Sequence, residues 1–215
     1  SFMESRSEAG MGGSRLEDAD GNVQISAFRF PSILSEVESA LRLGLASRLL
    51  ARWMVAPPPV DRPVPADWLS GASLIIRRAV LEDIGLLDEG YFMYYEDADF
   101  CRAARRAGWS CWYVPDSRVV HLVSQASGIE SSLKPRPAYW FEARRRYFLK
   151  NHGLAYAVLC DTAWITAFAL WRARRAVMNK PDTDPPRLLR DFIRRGVFAR
   201  GRDLTLQFSC IERLK

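Results

Sequence analysis

Three carboxylates stand within four positions, Glu96, Asp97 and Asp99, at the end of the run Asp88-Glu89-Gly90-Tyr91-Phe92-Met93-Tyr94-Tyr95. Residues 96–107 read as a helix closed by Gly108, which places all three in its first turn. The unpaired backbone N–H groups and the dipole of that end stabilise negative charge, by roughly 0.3–1 kcal/mol each when exposed. Adjacent helical positions point in different directions. One of Glu96 and Asp97 can therefore face a cleft while the other holds a structural partner. The preceding aromatics would make the cleft wall apolar and half-dry, which tunes a carboxylate towards general-base strength. Acidic first-turn residues are equally standard helix caps, and the cluster alone leaves both readings open. His121 follows Val119-Val120 at a probable strand end, where a side chain can emerge at the carboxyl edge of a sheet. A lone histidine is more often a hydrogen-bonded structural residue than a ligand.

These residues need elements to hold them. Residues 23–30 alternate as a strand, and Glu17-Asp18-Ala19-Asp20-Gly21-Asn22 is a turn. A calcium loop there fails at Leu16 and Ala27, where acidic ligands are required. Gly10 to Gly13 should be mobile. Val37, Leu41, Leu45 and Leu49 recur at fourfold spacing, so residues 35–54 read as one amphipathic helix with Ser35 as N-cap. The stretch 56–65 (APPPVDRPVP) is a stiff, extended linker that could drape over a site. After it come a strand at 73–77, a short helix at 78–84 closed by Gly85, the helix at 96–107, and a strand at 109–114 stopped by Pro115. Val119-Val120-His121 begins another strand or is a strand end. Strands alternating with short helices argue for an α/β sheet. Beyond Pro137, residues 138–150, 154–177 and 186–198 read as helices.

The bulk composition agrees with a globular protein: 215 residues, 48% hydrophobic and 26% charged. Collagen-like, coiled-coil and wholly disordered classes are excluded. Cys101, Cys111, Cys160 and Cys210 form no C-x-x-C, and with two histidines a Cys/His zinc site has too few ligands. Scattered thiols of this kind suit a reducing compartment, and Ser1-Phe2-Met3 opens no basic-then-apolar leader. Charge is unevenly spread. Residues 1–133 hold 13 Lys/Arg against 18 Asp/Glu, a net of −5, whereas residues 134–215 hold 18 against 7, a net of +11.

The motifs in series resemble a known family. Trp68-Leu69-Ser70-Gly71-Ala72 is followed by the strand ending Arg77-Arg78, then Ile84-Gly85-Leu86-Leu87-Asp88-Glu89, then Phe92 to Phe100 and Arg102. Gly108-Trp109 and Tyr113-Val114-Pro115 lead on to His121. From about Gly13 to Asn151 the order resembles the second half of family 2 glycosyltransferases of the GT-A fold. The resemblance is strongest to bacterial rhamnosyltransferase-like enzymes of cell-wall and O-antigen assembly. It implies an inverting, metal-dependent transfer of a sugar, with rhamnose a candidate, from a nucleotide-sugar donor to a glycan or lipid-linked acceptor. Asp97 would be the catalytic base, with Glu96 supporting it or binding acceptor. Asp99 would shape the acceptor pocket, and the Ser70-Gly71-Ala72 turn would let backbone approach the sugar closely. Trp68, Asp88 and Tyr95 fall at further substrate-binding positions. His121 would ligate a divalent metal, magnesium or manganese, that offsets charge on the departing diphosphate.

The resemblance also implies what is missing. Complete members begin with a nucleotide-binding half carrying an Asp-x-Asp metal motif. Residues 2–13 look like the stretch just after it, while Asp18-x-Asp20 lies in a downstream turn. The expectation is a partial GT-A α/β domain over residues 1–133, followed by a basic, mainly helical region over 134–215. The metal site would need the absent half to be complete.

In that second region Arg144-Arg145-Arg146, Lys150, Arg172, Arg174, Arg175, Arg187, Arg190, Arg194, Arg195, Arg200 and Arg202 surround the apolar run 154–171. Such a helix suits an anionic cytoplasmic leaflet, at about 1 kcal/mol per basic residue near the surface. Asp161 would cost roughly 2.5–3.5 kcal/mol at a bilayer centre, which favours lying on the membrane over spanning it. The alternative is a helix packed on the α/β domain with solvated arginines. The leading expectation is thus a cytoplasmic transferase, peripheral on the inner face of the plasma membrane. A non-catalytic membrane- or partner-binding module derived from such an enzyme is the competing class, and a carboxylate-metal hydrolase a third. No nucleic-acid-binding motif accompanies the arginines.

Overall fold

The computed structural model describes residues 2–122 and 134–196. Its centre is β1 (Ala9–Glu17), the glycine-rich stretch expected to be mobile. That expectation is corrected: six consecutive positions from Ala9 to Ser14 are buried. The glycines are there because neighbours crowd the strand. A Cβ on Gly10 would lie 2.7 Å from the Trp109 Cβ and 2.9 Å from a Val80 methyl, and one on Gly13 would lie 2.9 Å from a Leu69 methyl. Glycine in a strand marks such close approach as readily as it marks flexibility.

The strand expected over residues 23–30 is two short ones, β2 (Val23–Gln24) and β3 (Ala27–Phe28). The tight turn before them matches expectation, with the Asp18 carboxylate accepting the N–H groups of Asp20 and Asn22. The helix expected over residues 35–54 also divides. α1 (Ile33–Leu41) is capped by Ser32, not Ser35. The Ser32 hydroxyl accepts the Ser35 N–H and the Ser35 hydroxyl accepts the Ser32 N–H, a reciprocal box that fixes the start three residues early. It ends where Arg42 turns left-handed, and α2 (Gly44–Leu49) and a 3-10 turn (Ala51–Trp53) complete the stretch. The guanidinium of Arg42 reaches Asp184 at 2.6 Å, so a long-range contact accompanies the break.

β4 (Val64–Ala66), β5 (Trp68–Leu69) and β6 (Leu74–Ile76) lead to α3 (Arg78–Ile84), closed by Gly85 as expected, and then α4 (Glu96–Arg106). β7 (Ser110–Val120) runs through Pro115, against the expectation that the proline would stop it. Ser14 pairs with Val114 and the next pair is Arg15 with Arg118, so Pro115 sits in a bulge where no ladder N–H is needed. The strand expected at Val119 is the end of this same strand.

The sheet is mixed, in the order β2-β1-β7-β4, with β6 also on β1. Only β1 and β7 are parallel, while β3 and β5 form a separate antiparallel pair. Met11, Leu69, Val80, Phe100, Cys101, Ala104, Cys111 and Tyr113 make the core under α3 and α4.

The expected helices at 138–150 and 154–177 form one long element, α5 (Ala138–Val177), interrupted at Gly153 with φ 81°. α6 (Leu188–Arg195) follows. α5 packs on α1 through Ala40, Phe141, Trp164, Ala167 and Phe168, with Leu188 and Phe192 of α6 closing the cluster. A buried charge triad crosses the same interface: Arg144 bonds the Glu36 carboxylate at 2.8 Å and also the Asp161 carboxylate. The proposed boundary near residue 133, Arg200, Arg202 and Cys210 lie outside the described residues.

Candidate functional site

Two backbone features meet at the first turn of α4. Tyr94 and Tyr95 both adopt positive φ, 70° and 66°, before the helix starts at Glu96. Positive φ is costly for a bulky residue and persists only where surroundings impose it. The Tyr95 ring is held against Tyr147, with centroids 5.4 Å apart, and its carbonyl accepts the Asp99 N–H at 2.8 Å. Facing this turn is the bend after β5. The Ser70 N–H donates to the Ser26 carbonyl at 2.9 Å, and the Ala72 N–H donates to the Ser70 hydroxyl at 3.3 Å. The Gly71 N–H is thereby aimed at Asp97, whose Oδ2 accepts it at 3.3 Å.

Asp97 therefore sits between two backbone donors, Gly71 on Oδ2 and Ala98 on Oδ1 at 2.8 Å, with no cation on it among the described residues. Burial, followed by the charge of Glu96, pushes its carboxyl up to about 6, and the N–H groups offset only part of that. Burial likewise raises Glu96, whose Oε2 is buried without a hydrogen-bond partner. At neutral pH Asp97 is mainly ionised yet far more basic than an ordinary aspartate, as a general base requires.

Asp88 and Asp99 meet the opposite environment. Burial would raise Asp88, but hydrogen bonds from Arg146 and Lys150 outweigh it and hold the carboxyl at about 2. Arg146 donates from Nη2 to both Asp88 oxygens, at 2.7 and 2.9 Å, and Lys150 bridges Asp88 at 2.8 Å and Asp99 at 2.5 Å. The Asn151 amide completes Asp99 at 2.6 Å. A Cβ on Gly90 would collide with the Arg146 guanidinium, so the loop 85–95 closes over it. These carboxylates pin that loop and the start of α4 to α5. Arg146, Lys150 and Asn151 were not legible as site-forming residues: the Arg144-Arg145-Arg146 run signalled only basicity.

The other candidate positions lie around this centre. Trp68 stacks on Phe28 at 4.1 Å and donates its indole N–H to the Arg29 carbonyl at 2.9 Å. His121 directly follows β7, its N–H donating to the Glu17 carbonyl at 2.8 Å. The Gln24 amide donates to the His121 carbonyl, so its oxygen, 2.9 Å from Nδ1, accepts from a protonated Nδ1. An Nδ1 held in this way leaves Nε2 to bind a metal when the ring is neutral. Among the described residues, however, no group of three His, Cys, Asp or Glu could hold a metal ion. Nor does any hydrogen bond among the described residues join His121 to Glu96, Asp97 or Asp99. The described residues alone do not assemble a metal site. A cavity of about 570 Å³ lies beside the Ser26–Ser70 contact, lined by Ser26, Phe28, Pro57, Pro59, Asp67 and Tyr113 among others. The proline linker does line a cavity, though not one that Asp97 enters.

Residues 45–148 match the family described as glycosyltransferase like family 2. Over 178 residues the chain is 32% identical to an N-acetylglucosaminyl-diphospho-decaprenol L-rhamnosyltransferase of Mycobacterium tuberculosis, covering 77% of this chain and 51% of that protein. A low-salt glycan biosynthesis hexosyltransferase of Haloferax volcanii is 48% identical over 87 residues, 40% of this chain and 27% of its own length. The rhamnosyltransferase WbbL of Escherichia coli is 29% identical over 96 residues, 45% of this chain and 34% of its own. The chain spans about half the length of the mycobacterial relative.

Proposed function

We propose that this chain is a family 2 glycosyltransferase, rhamnosyltransferase-like as its relatives are, and that it carries the acceptor-side chemistry of an inverting sugar transfer. The observation that carries the proposal is the Asp97 carboxylate: without an ion pair among the described residues, raised to about 6 by burial, and held by the N–H of the exposed Gly71. In the proposed step an acceptor hydroxyl oxygen bonds to the anomeric carbon as the bond from that carbon to the nucleotide diphosphate breaks. Asp97 takes the hydroxyl proton, and the diphosphate leaves with the electron pair of the broken bond. Attack opposite the leaving group inverts the centre. Glu96 raises the basicity of Asp97 through its charge.

Ser70, Gly71 and Ala72 would meet the sugar through backbone, with Trp68 and Tyr95 as walls. Asp88 and Asp99 would act on the pocket by fixing the loop that forms it. The donor is a nucleotide-sugar, with rhamnose proposed, and the acceptor a glycan or lipid-linked glycan of cell-envelope polysaccharide assembly. Recognition of the nucleotide is assigned to the part of the relatives that this chain does not span. A divalent metal would offset charge on the departing diphosphate only with His121 as one ligand and the others supplied by the part of the relatives that this chain does not span. The place of action would be the cytoplasmic membrane face. One helix among the described residues, Ala138–Val177, is long and apolar enough to cross a membrane, and a third of its most apolar stretch is buried within the fold. Arg144 and Asp161 are paired on its inner side, which supports lying against the membrane.

The test is transfer from a nucleotide-rhamnose onto N-acetylglucosaminyl-diphospho-decaprenol by the full-length protein carrying Asp97→Asn. Loss of a general base costs roughly 10²–10⁴-fold in turnover. A variant that folds and keeps wild-type turnover would remove Asp97 from the base role.

A further inference from the structure

We propose that the groove between the end of α5 and α6 docks the headgroup of an anionic phospholipid at a membrane surface. The inference deepens the peripheral placement proposed above and rests on it. Leu188 and Phe192 turn α6 inward, the Phe192 ring stacking on Trp164 at 4.0 Å. Helical spacing then sends Arg190, Ile193 and Arg194 to the other side, and all three are exposed. With Arg172, Arg187 and Leu189 they line a groove of about 440 Å³.

The arginines of this region fall into two sets. Arg144 is buried between Glu36 and Asp161, Arg146 is paired with Asp88, and Arg175 binds Asp182 and Asp184. These are internal fastenings. Arg187, Arg190 and Arg194 make no ion pair among the described residues, and Arg172 meets only Asp182, at 3.8 Å. Four guanidinium groups around one groove repel one another unless an anion sits among them. Their planar forks suit phosphate oxygens.

The floor identifies the anion's carrier. Leu189 and Ile193 present an aliphatic surface between the charges, which a free phosphate would not use and an acyl chain would. The end of α5 is apolar and exposed as well: Leu170, Val177 and Met178 are 58%, 88% and 47% exposed. Along residues 151–171 the single charged residue is Asp161, and it is buried. A basic rim beside an uncharged helical face is the pattern of an element lying in a bilayer interface.

The test is co-sedimentation of the full chain with vesicles of phosphatidylcholine alone or mixed with phosphatidylglycerol. Binding to the anionic vesicles and little to the neutral ones is expected. The pair Arg190→Gln and Arg194→Gln should weaken it by about 25-fold, roughly fivefold per arginine. The pair Arg78→Gln and Arg118→Gln, which removes the same charge from exposed sites elsewhere, should change it less than about twofold. Ile193→Gln should weaken binding while leaving net charge intact, and it gives a second reading should the arginine pair disturb folding. Equal losses from the two arginine pairs would overturn the site, as would equal binding to both vesicle types or none to either. Asp97→Asn should bind vesicles like the wild type, so failure of the transfer reading and failure of the docking site register in different measurements.

Discussion

The buried triad of Glu36, Arg144 and Asp161 and the first-turn pair of Glu96 and Asp97 use the same side chains to opposite ends. In the triad a guanidinium lies between two carboxylates and ties α1 to α5. In the first turn two carboxylates stand side by side with backbone N–H groups and, among the described residues, no cation, so burial and mutual repulsion raise Asp97. Asp88 and Asp99, a few residues from that pair, belong to the first kind through Lys150 and Arg146. A carboxylate that meets a cation becomes architecture, and one that meets only dipoles keeps its affinity for a proton. Acidic sequence does not distinguish the two; the basic residues of α5 do.

The largest expected effects fall on stability in one region and on turnover in the other. Arg144→Met takes the guanidinium away from two buried carboxylates and should cost roughly 3–5 kcal/mol in denaturant unfolding. Asp97→Asn should cost no stability at neutral pH, because it removes a repulsion. A carboxyl raised in the folded state makes the fold less stable as pH climbs from 3.8 through about 6, and the asparagine escapes that loss. Equal destabilisation by both substitutions would erase the contrast.

A smaller effect separates Asp88 from Asp97 by pH. Asp88 is depressed from 3.8 to about 2, so its contribution is complete above 3.8 and fades as pH falls towards 2. Unfolding midpoints of the wild type and Asp88→Asn should therefore differ at neutral pH and converge in strong acid. Transfer should decline on the acid side with a midpoint near 6. Glu96→Gln should move that midpoint down, by the smallest amount of the series, since Glu96's charge is the lesser cause of the shift.

Features governed by neighbours in sequence were legible. Gly85 and Gly108 close their helices where expected, both with positive φ, and Gly153 divides α5 between the two helices foreseen. Features governed by neighbours in space were not. Gly10 and Gly13 suggested mobility because the residues that exclude a side chain there, Trp109, Val80 and Leu69, lie far along the chain. Pro115 suggested a stop because the bulge that accommodates it depends on pairing with β1. The carboxylates of the site were found by spacing. Their division into a basic pair and a pinned pair was hidden, because Arg146, Lys150 and Asn151 lie some fifty residues downstream of the acids they bind.

The most direct test of the central claim is a site-resolved titration of the Asp97 carboxyl by carbon-13 NMR in the folded protein. A midpoint near 6, lowered when Glu96 is replaced by Gln, is the predicted result. A midpoint at or below 3.8 would mean that Asp97 is an ordinary capping carboxylate, and would contradict its assignment as the base.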